Sequence, residues 1–282
     1  MQDRSRDVSR DSTEQMRSES YRLAACDPDF LLGDSTRGVR FLLEYAKAEE
    51  ELRRWKIRST IVVFGSARVM PGGSGDPSAT CATLPPGARP RAGAHSAHWY
   101  DEAYRFGRIA SERGGALHPV DGWHDHVIAT GGGPGIMEAA NRGAWEVGAP
   151  SIGFNIRLPH EQQPNAYTTP ELTFRFHYFA MRKMHLAMRA AALAVFPGGF
   201  GTLDEMFELL TLCQTGKAPR VPIVLFDRDY WTRIINFEAL AEEGMIREDD
   251  LALFRFAQNA DEAWDLLLEQ GLQVGGPKPR IT

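Results

Sequence analysis

Short apolar runs alternate with longer stretches in which apolar residues return every three or four positions. The runs Ser59–Phe64, Val127–Thr130, Ser151–Ile156, Leu172–Phe176, Leu193–Phe196, Pro222–Phe226 and Leu253–Ala257 have the length and bulk of buried strands. Helical spacing predicts helices over Trp99–Arg113, from Pro134 through Ala144, and over His177–Ala190, Thr202–Leu212, Tyr230–Glu243 and Asp261–Glu269. Strands that alternate with helices in this way predict an α/β fold. The expected form is a doubly wound parallel sheet of about seven strands with helices on both faces. Residues 59–272 would form that single domain. Before it, Phe41, Leu42, Tyr45 and Leu52 share a helical face, with Glu49, Glu50 and Glu51 outside it, so 31–58 reads as a helical extension. Residues 1–30 begin with a stretch rich in Arg, Asp, Ser and Glu and are expected to be a disordered tail. The Pro-, Gly- and Ser-rich stretch 69–97 reads as a flexible insertion, and 273–282 as a loose tail.

The pattern changes most sharply at Ala194-Val195-Phe196-Pro197-Gly198-Gly199-Phe200-Gly201-Thr202-Leu203-Asp204-Glu205. Pro197 ends the apolar run, because it has no N–H for a ladder. Three glycines within four residues then lead into a helix. Strand, glycine turn and helix together present backbone N–H groups and a partial positive charge to an anion, so this turn reads as a phosphate cradle. Asp204 and Glu205 stand directly behind it. Thr202-Leu203-Asp204-Glu205 is equally a capping box, with Thr202 as N-cap and Glu205 reaching back to its N–H. Three glycines are more than a cap requires, and both readings stand.

The same plan recurs. Val127–Thr130 runs into Gly131-Gly132-Gly133-Pro134-Gly135, with Pro134 suited to a first helical position. The spacing is not GxGxxG, so a nicotinamide dinucleotide is not the first choice. Gly65-Ser66 follows the first strand, at the carboxyl edge where parallel sheets bind ligands. The helix before the cradle carries Arg182, Lys183, His185 and Arg189, which read either as site cations or as a solvated face. His124 and His126 share a strand face but lack an evident third ligand, so no metal is expected.

Composition narrows this picture. With 43% hydrophobic residues in 282, the chain can bury one sizeable core. A net charge of −5 argues against a nucleic-acid surface. Cys26, Cys81 and Cys213 are far apart and form no CxxC pair, which suggests a reducing compartment. No apolar run approaches a membrane span, and the first residues have no apolar signal core. The expectation is a soluble, cytoplasmic protein that binds neither nucleic acid nor membrane.

Pro-Gly-Gly-x-Gly-Thr-x-x-Glu, together with Met181-Arg182-Lys183 on the preceding helix, resembles the LOG ("Lonely guy") family of cytokinin riboside 5′-monophosphate phosphoribohydrolases, formerly labelled lysine decarboxylases. The resemblance runs from about Ile61 to Leu268. It implies a Rossmann-like fold and hydrolysis of the N-glycosidic bond of a nucleoside 5′-monophosphate, AMP or a cytokinin nucleotide, to free base and ribose 5-phosphate. It implies Arg182 and Glu205 as catalytic residues. Substrate binding would fall to Gly65, Ser66, Gly132, Gly133, Glu161, Lys183, Gly198, Gly199, Gly201, Thr202, Asp204 and Thr211. No cofactor and no metal are implied. Gly-Gly-Gly-Pro-Gly-Ile-Met-Glu and Phe-Ala-Met-Arg-Lys depart from the short plant-like members, as do the terminal extensions; the chain looks like a longer bacterial branch. Met181, Met184, Leu186 and Met188, with the helix at Phe41 to Trp55, offer more apolar surface than one sheet face covers, which suggests a homodimer or dimer of dimers with the site near its interface. Other readings are a non-catalytic nucleotide sensor or carrier on the same fold, a pyridoxal-dependent lysine decarboxylase, and a DNA binder, the last disfavoured by charge.

Overall fold

The computed structural model describes residues 11–72, 94–158 and 163–275. Glu161, Cys81 and most of the 69–97 insertion lie outside them. The chain divides into two compact units, Met1–Ala46 and Lys47–Thr282, with the division inside helix α3 (Arg37–Arg54).

The first unit, expected to be a bare tail as far as residue 30, is folded from residue 11 into short helical turns that include α1 (Thr13–Arg17) and α2 (Pro28–Leu32). Asp27 caps α2 by accepting from the Phe30 N–H, and Pro28 stands at its first position. Thr36 Oγ1 lies 2.9 Å from the carbonyl oxygens of Phe30, Leu31 and Gly33, and Arg40 donates to the last two. Local polar bonds, not an apolar core, shape this segment.

The second unit is built on seven parallel strands among the described residues: β1 (Thr60–Phe64), β2 (Val127–Thr130), β3 (Ser151–Ile156), β4 (Thr173–Phe176), β5 (Ala190–Val195), β6 (Ile223–Phe226) and β7 (Arg255–Ala257). Their order is β4-β3-β2-β1-β5-β6-β7. The intervening helices are α4 (Ala94–Gly114), α5 (Ile136–Glu146), α6 (Phe179–Met188), α7 (Phe200–Gln214), α8 (Arg228–Ile234), α9 (Phe237–Glu242) and α10 (Ala260–Glu269). The sheet is the Rossmann-like α/β architecture expected. Alternate residues of each strand feed opposite cores. Ile61 and Val63 pack with α4, α5 and α10 through Phe106, Ile136 and Trp264; Val62 and Phe64 lie on the face covered by Leu52, Leu186, Met206 and Leu209. No helix among the described residues is long and apolar enough to cross a membrane.

Two boundaries differ from the sequence pattern. Ala190 was expected to end the helix that Arg182 occupies, since alanine is the best helix former, and Ala191 and Ala192 to precede a strand starting at Leu193. They start β5 instead, because they pair with β1 from Thr60, whose N–H donates to the Arg189 carbonyl. The helix expected over Tyr230–Glu243 is two helices, α8 and α9, because Asn236 turns its side chain onto the Ala239 N–H and starts a new one.

Steps along the chain run outward in one direction from β1 to β4 and in the other from β5 to β7. The order reverses between β1 and β5, and the crevice at their carboxyl ends is where such sheets bind ligands.

Candidate functional site

Three strand-end turns meet at that crevice and are tied by their backbones. The Ser66 N–H donates to the Pro197 carbonyl (3.0 Å), and the Ser66 carbonyl accepts from the Ile136 N–H (3.2 Å). Gly65 has no room for a side chain, since a Cβ there would stand 2.7 Å from Ile136. Gly132 has φ +68°, and a Cβ would meet the Asn155 amide at 2.4 Å. That amide donates to the Gly131 and Gly132 carbonyls, while Asn165 holds the Gly132 and Gly133 carbonyls and bonds Asn141. Thr130 completes this net through the Gly132 N–H and Asn141. Gly65 and Gly132 are therefore glycine because the turns must pack. Helix α5 starts at Ile136 with Gly135 as N-cap, so Pro134 precedes the helix instead of opening it. Glu138, one of the departures from the short-member pattern, faces α4, where the Tyr100 hydroxyl lies 3.1 Å away. Burial raises its pKa.

The cradle at the end of β5 differs from the sequence reading in one decisive respect. Helix α7 begins at Phe200, two residues before the expected start, and its N-cap is Gly199, without a side-chain cap bond. Thr202 and Leu203 donate to the Gly199 carbonyl. Thr202 is thus inside the helix, its side chain packed where a Gly198 Cβ would be, and Glu205 lies too far along to close a capping box. Among the described residues no acceptor takes the N–H groups of Gly199, Phe200 or Gly201. Gly199 and Gly201 have no positive φ, and a Cβ on either would point into open space. The fold does not need glycine at these two places, and the missing side chains leave the backbone open to close approach.

Glu205 is 3% exposed, and its carboxylate accepts from Arg182 Nη2 at 2.8 Å across α6 and α7. Arg182 is not on a solvated face: its side chain is 11% exposed. Its guanidinium lies over the Phe179 ring and beside Gly131, where a Cβ would be 3.7 Å from Nη1. It therefore connects the acid to the second glycine turn. Burial pushes the Glu205 carboxyl up to about 7, against the pull of Arg182 and Lys183. A carboxyl that titrates near neutrality can exchange a proton during a reaction. Lys183 bonds Asp204 at 2.7 Å and lies 3.4 Å from Glu208. Burial works against its charge, but these carboxylates and Glu205 raise its pKa overall. An amine held protonated is poorly suited to Schiff-base chemistry.

The structure thus brings Gly65, Ser66, Gly132, Gly133, Arg182, Lys183, Gly198, Gly199, Gly201, Thr202, Asp204 and Glu205 to one edge. Thr211 is set apart from Glu205 but shares a groove with Asp204. It lies six residues beyond Glu205 on α7, ~9 Å along the axis and on another side. There it lines an open groove of about 460 Å³ with Phe200, Leu203, Asp204, Phe207, Glu208 and Leu212. His124 and His126 each bring Nδ1 to a backbone carbonyl, of Ala116 and Gly114. Arg189 binds Glu49 at the other end of its helix, and His185 packs between Phe154 and Phe176. Sequence reasoning missed Asn155, Asn165 and Tyr230, whose hydroxyl donates to the Gly198 carbonyl. Single polar residues within strands, loops and helix starts carry no periodic signal.

Residues 137–267 match the family model described as "Possible lysine decarboxylase". The chain is 28% identical over 147 residues to the probable cytokinin riboside 5′-monophosphate phosphoribohydrolase LOG4 of Oryza sativa subsp. japonica, a match covering 51% of this chain and 62% of that protein. It is 25% identical over 139 residues to the cytokinin riboside 5′-monophosphate phosphoribohydrolase LOG5 of Arabidopsis thaliana, covering 49% of this chain and 60% of that one. The chain thus spans less than two thirds of the length of these curated relatives. A solved structure, the molybdenum cofactor binding protein from the phototrophic bacterium Rippkaea orientalis, aligns at 19% identity over 75% of this chain and 97% of its own, with a TM-score of 0.44. The resemblance to the LOG family read from Arg182-Lys183 and the glycine turn is upheld by the family and relative matches.

Proposed function

We propose that this chain hydrolyses the N-glycosidic bond of a nucleoside 5′-monophosphate, AMP or a cytokinin riboside 5′-monophosphate, releasing the base and ribose 5-phosphate. The observation that carries this reading is the buried Glu205, paired with Arg182 and tuned to about 7, one turn behind unpaired helix N–H groups. The 5′-phosphate binds the N–H groups of Gly199, Phe200 and Gly201, where the open glycines admit it and the α7 dipole favours its charge. The Glu205 carboxylate stabilises positive charge as it develops at C1′ and takes a proton from the attacking water. The water oxygen bonds to C1′, the C1′–N bond breaks, and the base leaves with the bonding electrons and takes a proton from solvent, to which Glu205 returns the one it removed from the water. Arg182 orients Glu205 and faces the second glycine turn, where it can hold the ribose or the leaving base. Asp204 keeps Lys183 beside the phosphate as fixed positive charge.

The test is a screen of nucleoside monophosphates, nucleosides and triphosphates for base release. AMP should be cleaved far better than adenosine, because phosphate binding energy orients C1′ at the carboxylate. Comparable kcat/KM for the two would remove the phosphate seat from the mechanism. Saturable AMP binding without product would favour the sensor or carrier reading.

A further inference from the structure

The Gly198–Gly199 peptide is held from the neighbouring strand by a side chain outside the motif. Strand β6 ends at Phe226, and Asp227 follows it in a left-handed conformation, φ 70° and ψ 77°. That conformation is uncommon for a residue with a side chain, and such strain concentrates at functional sites. Asp227 is buried, and its carboxylate accepts from the Tyr230 N–H at 3.0 Å, which sets the first turn of α8. The next residue, Trp231, is fully buried and donates Nε1–H to the Phe226 carbonyl, so α8 cannot rotate about its axis. Tyr230 stands edge-on to Trp231 and reaches the end of β5, where its hydroxyl donates to the Gly198 carbonyl at 2.6 Å.

In a trans peptide the carbonyl of one residue and the N–H of the next point in opposite directions. β6 lies on one side of β5 and β1 on the other. A Gly198 carbonyl drawn toward the Tyr230 hydroxyl therefore turns the Gly199 N–H away from α8, where no acceptor among the described residues takes it. Thr202 blocks the peptide from the remaining side, since a Gly198 Cβ would overlap its hydroxyl.

We infer that Tyr230, set in place by Asp227, is a positioning residue that aims the Gly199 N–H at the phosphate of the substrate; this rests on the phosphate seat proposed above. The Tyr230→Phe chain loses only the hydroxyl. Its dissociation constant for ribose 5-phosphate, measured by calorimetry, should rise about tenfold, the effect of one well-placed hydrogen bond. KM for AMP should rise by a similar factor, with kcat changed much less. The kcat/KM for adenosine, which has no phosphate, should stay where it is. A purely structural role would lower both substrates alike, and that result overturns the inference, as does unchanged ribose 5-phosphate affinity. If Tyr230→Phe does not fold, Asp227→Gly answers the same question, because glycine suits the φ and the cap that sets Tyr230 in place is lost. Should the wild-type chain release no base yet bind ribose 5-phosphate, the hydrolase reading fails while the Tyr230 comparison still decides. No binding of ribose 5-phosphate by the wild-type chain overturns both.

Discussion

At the scale of single residues, Glu205 opposes stability to chemistry. Its pKa in the fold, about 7, lies above the ordinary 4.5, because burial outweighs the attraction of Arg182. The folded state therefore holds this proton more tightly than the unfolded chain does. The resulting stabilisation is complete below 4.5 and is lost as pH rises through about 7, on the order of 3 kcal/mol in all. Glu205→Gln should flatten that part of the pH–stability curve and melt no lower than wild type at pH 8. It should also lower kcat about 100-fold or more, since an amide takes no proton from water. Near-normal turnover in this variant would leave Glu205 a packing residue. In the wild-type chain kcat/KM should rise with pH as Glu205 ionises, with a midpoint near 7. Arg182 pulls that pKa down, so in Arg182→Ala any residual activity should show its rise displaced to higher pH. An unmoved midpoint would mean that another group controls the rate. Glu205 and Arg182 were legible as a pair from their motifs, but their depth was not. Four residues of local sequence fit a cap as well as a catalyst, and only the two-residue shift in the start of α7 separates them.

At the scale of elements, the first turn of α7 is kept poorer than a helix requires. Gly201 sits inside it without positive φ and with open space around its missing Cβ. Gly201→Ala should raise unfolding free energy by about 0.5–1 kcal/mol. The same methyl would intrude on the phosphate, so KM for AMP should rise several-fold while adenosine is unaffected. Denaturant titration and kinetics on one preparation check both halves; a stabler variant with unchanged KM would separate the glycine from the ligand. Element type was readable throughout the sheet, because buried parallel strands are near-continuous apolar runs. The edges were not: alanines at the β1–β5 pairing and Asn236 within an amphipathic stretch follow tertiary contacts that local propensity does not record.

At the scale of the whole molecule, the alternation of strands and helices was enough to give the doubly wound sheet, since few topologies bury two sheet faces at once. The apolar surface left over was placed only in part: Leu42 on α3 is 63% exposed, as the pattern suggested. Leu186, counted toward an interface, is buried at 2% exposure, whereas Phe200 is 91% exposed and Phe207 39%. Phe200, Leu203 and Phe207 follow helical spacing along the outer side of α7, and Thr211 continues their line. We propose that the homodimer, or a dimer of dimers, packs on this line, with Thr211 at the interface. Light scattering at micromolar concentration should give a dimer or larger, and Phe207→Asp should shift it toward monomer. A wild-type monomer would count against this assembly.

The bonds at Ser66 have a consequence for timing. Because one residue ties the turn after β5 to the turn before α5, the crevice floor opens as a unit or not at all. In deuterium labelling, the Ser66 and Ile136 amides should exchange together and slowly, through a shared opening. The Gly199, Phe200 and Gly201 amides, which no acceptor among the described residues takes, should exchange within the first time points and slow markedly once ribose 5-phosphate is added. The molecule would then keep two clocks at one edge: a slow one for the floor that shapes the site, and a fast one for the donors that the ligand stops.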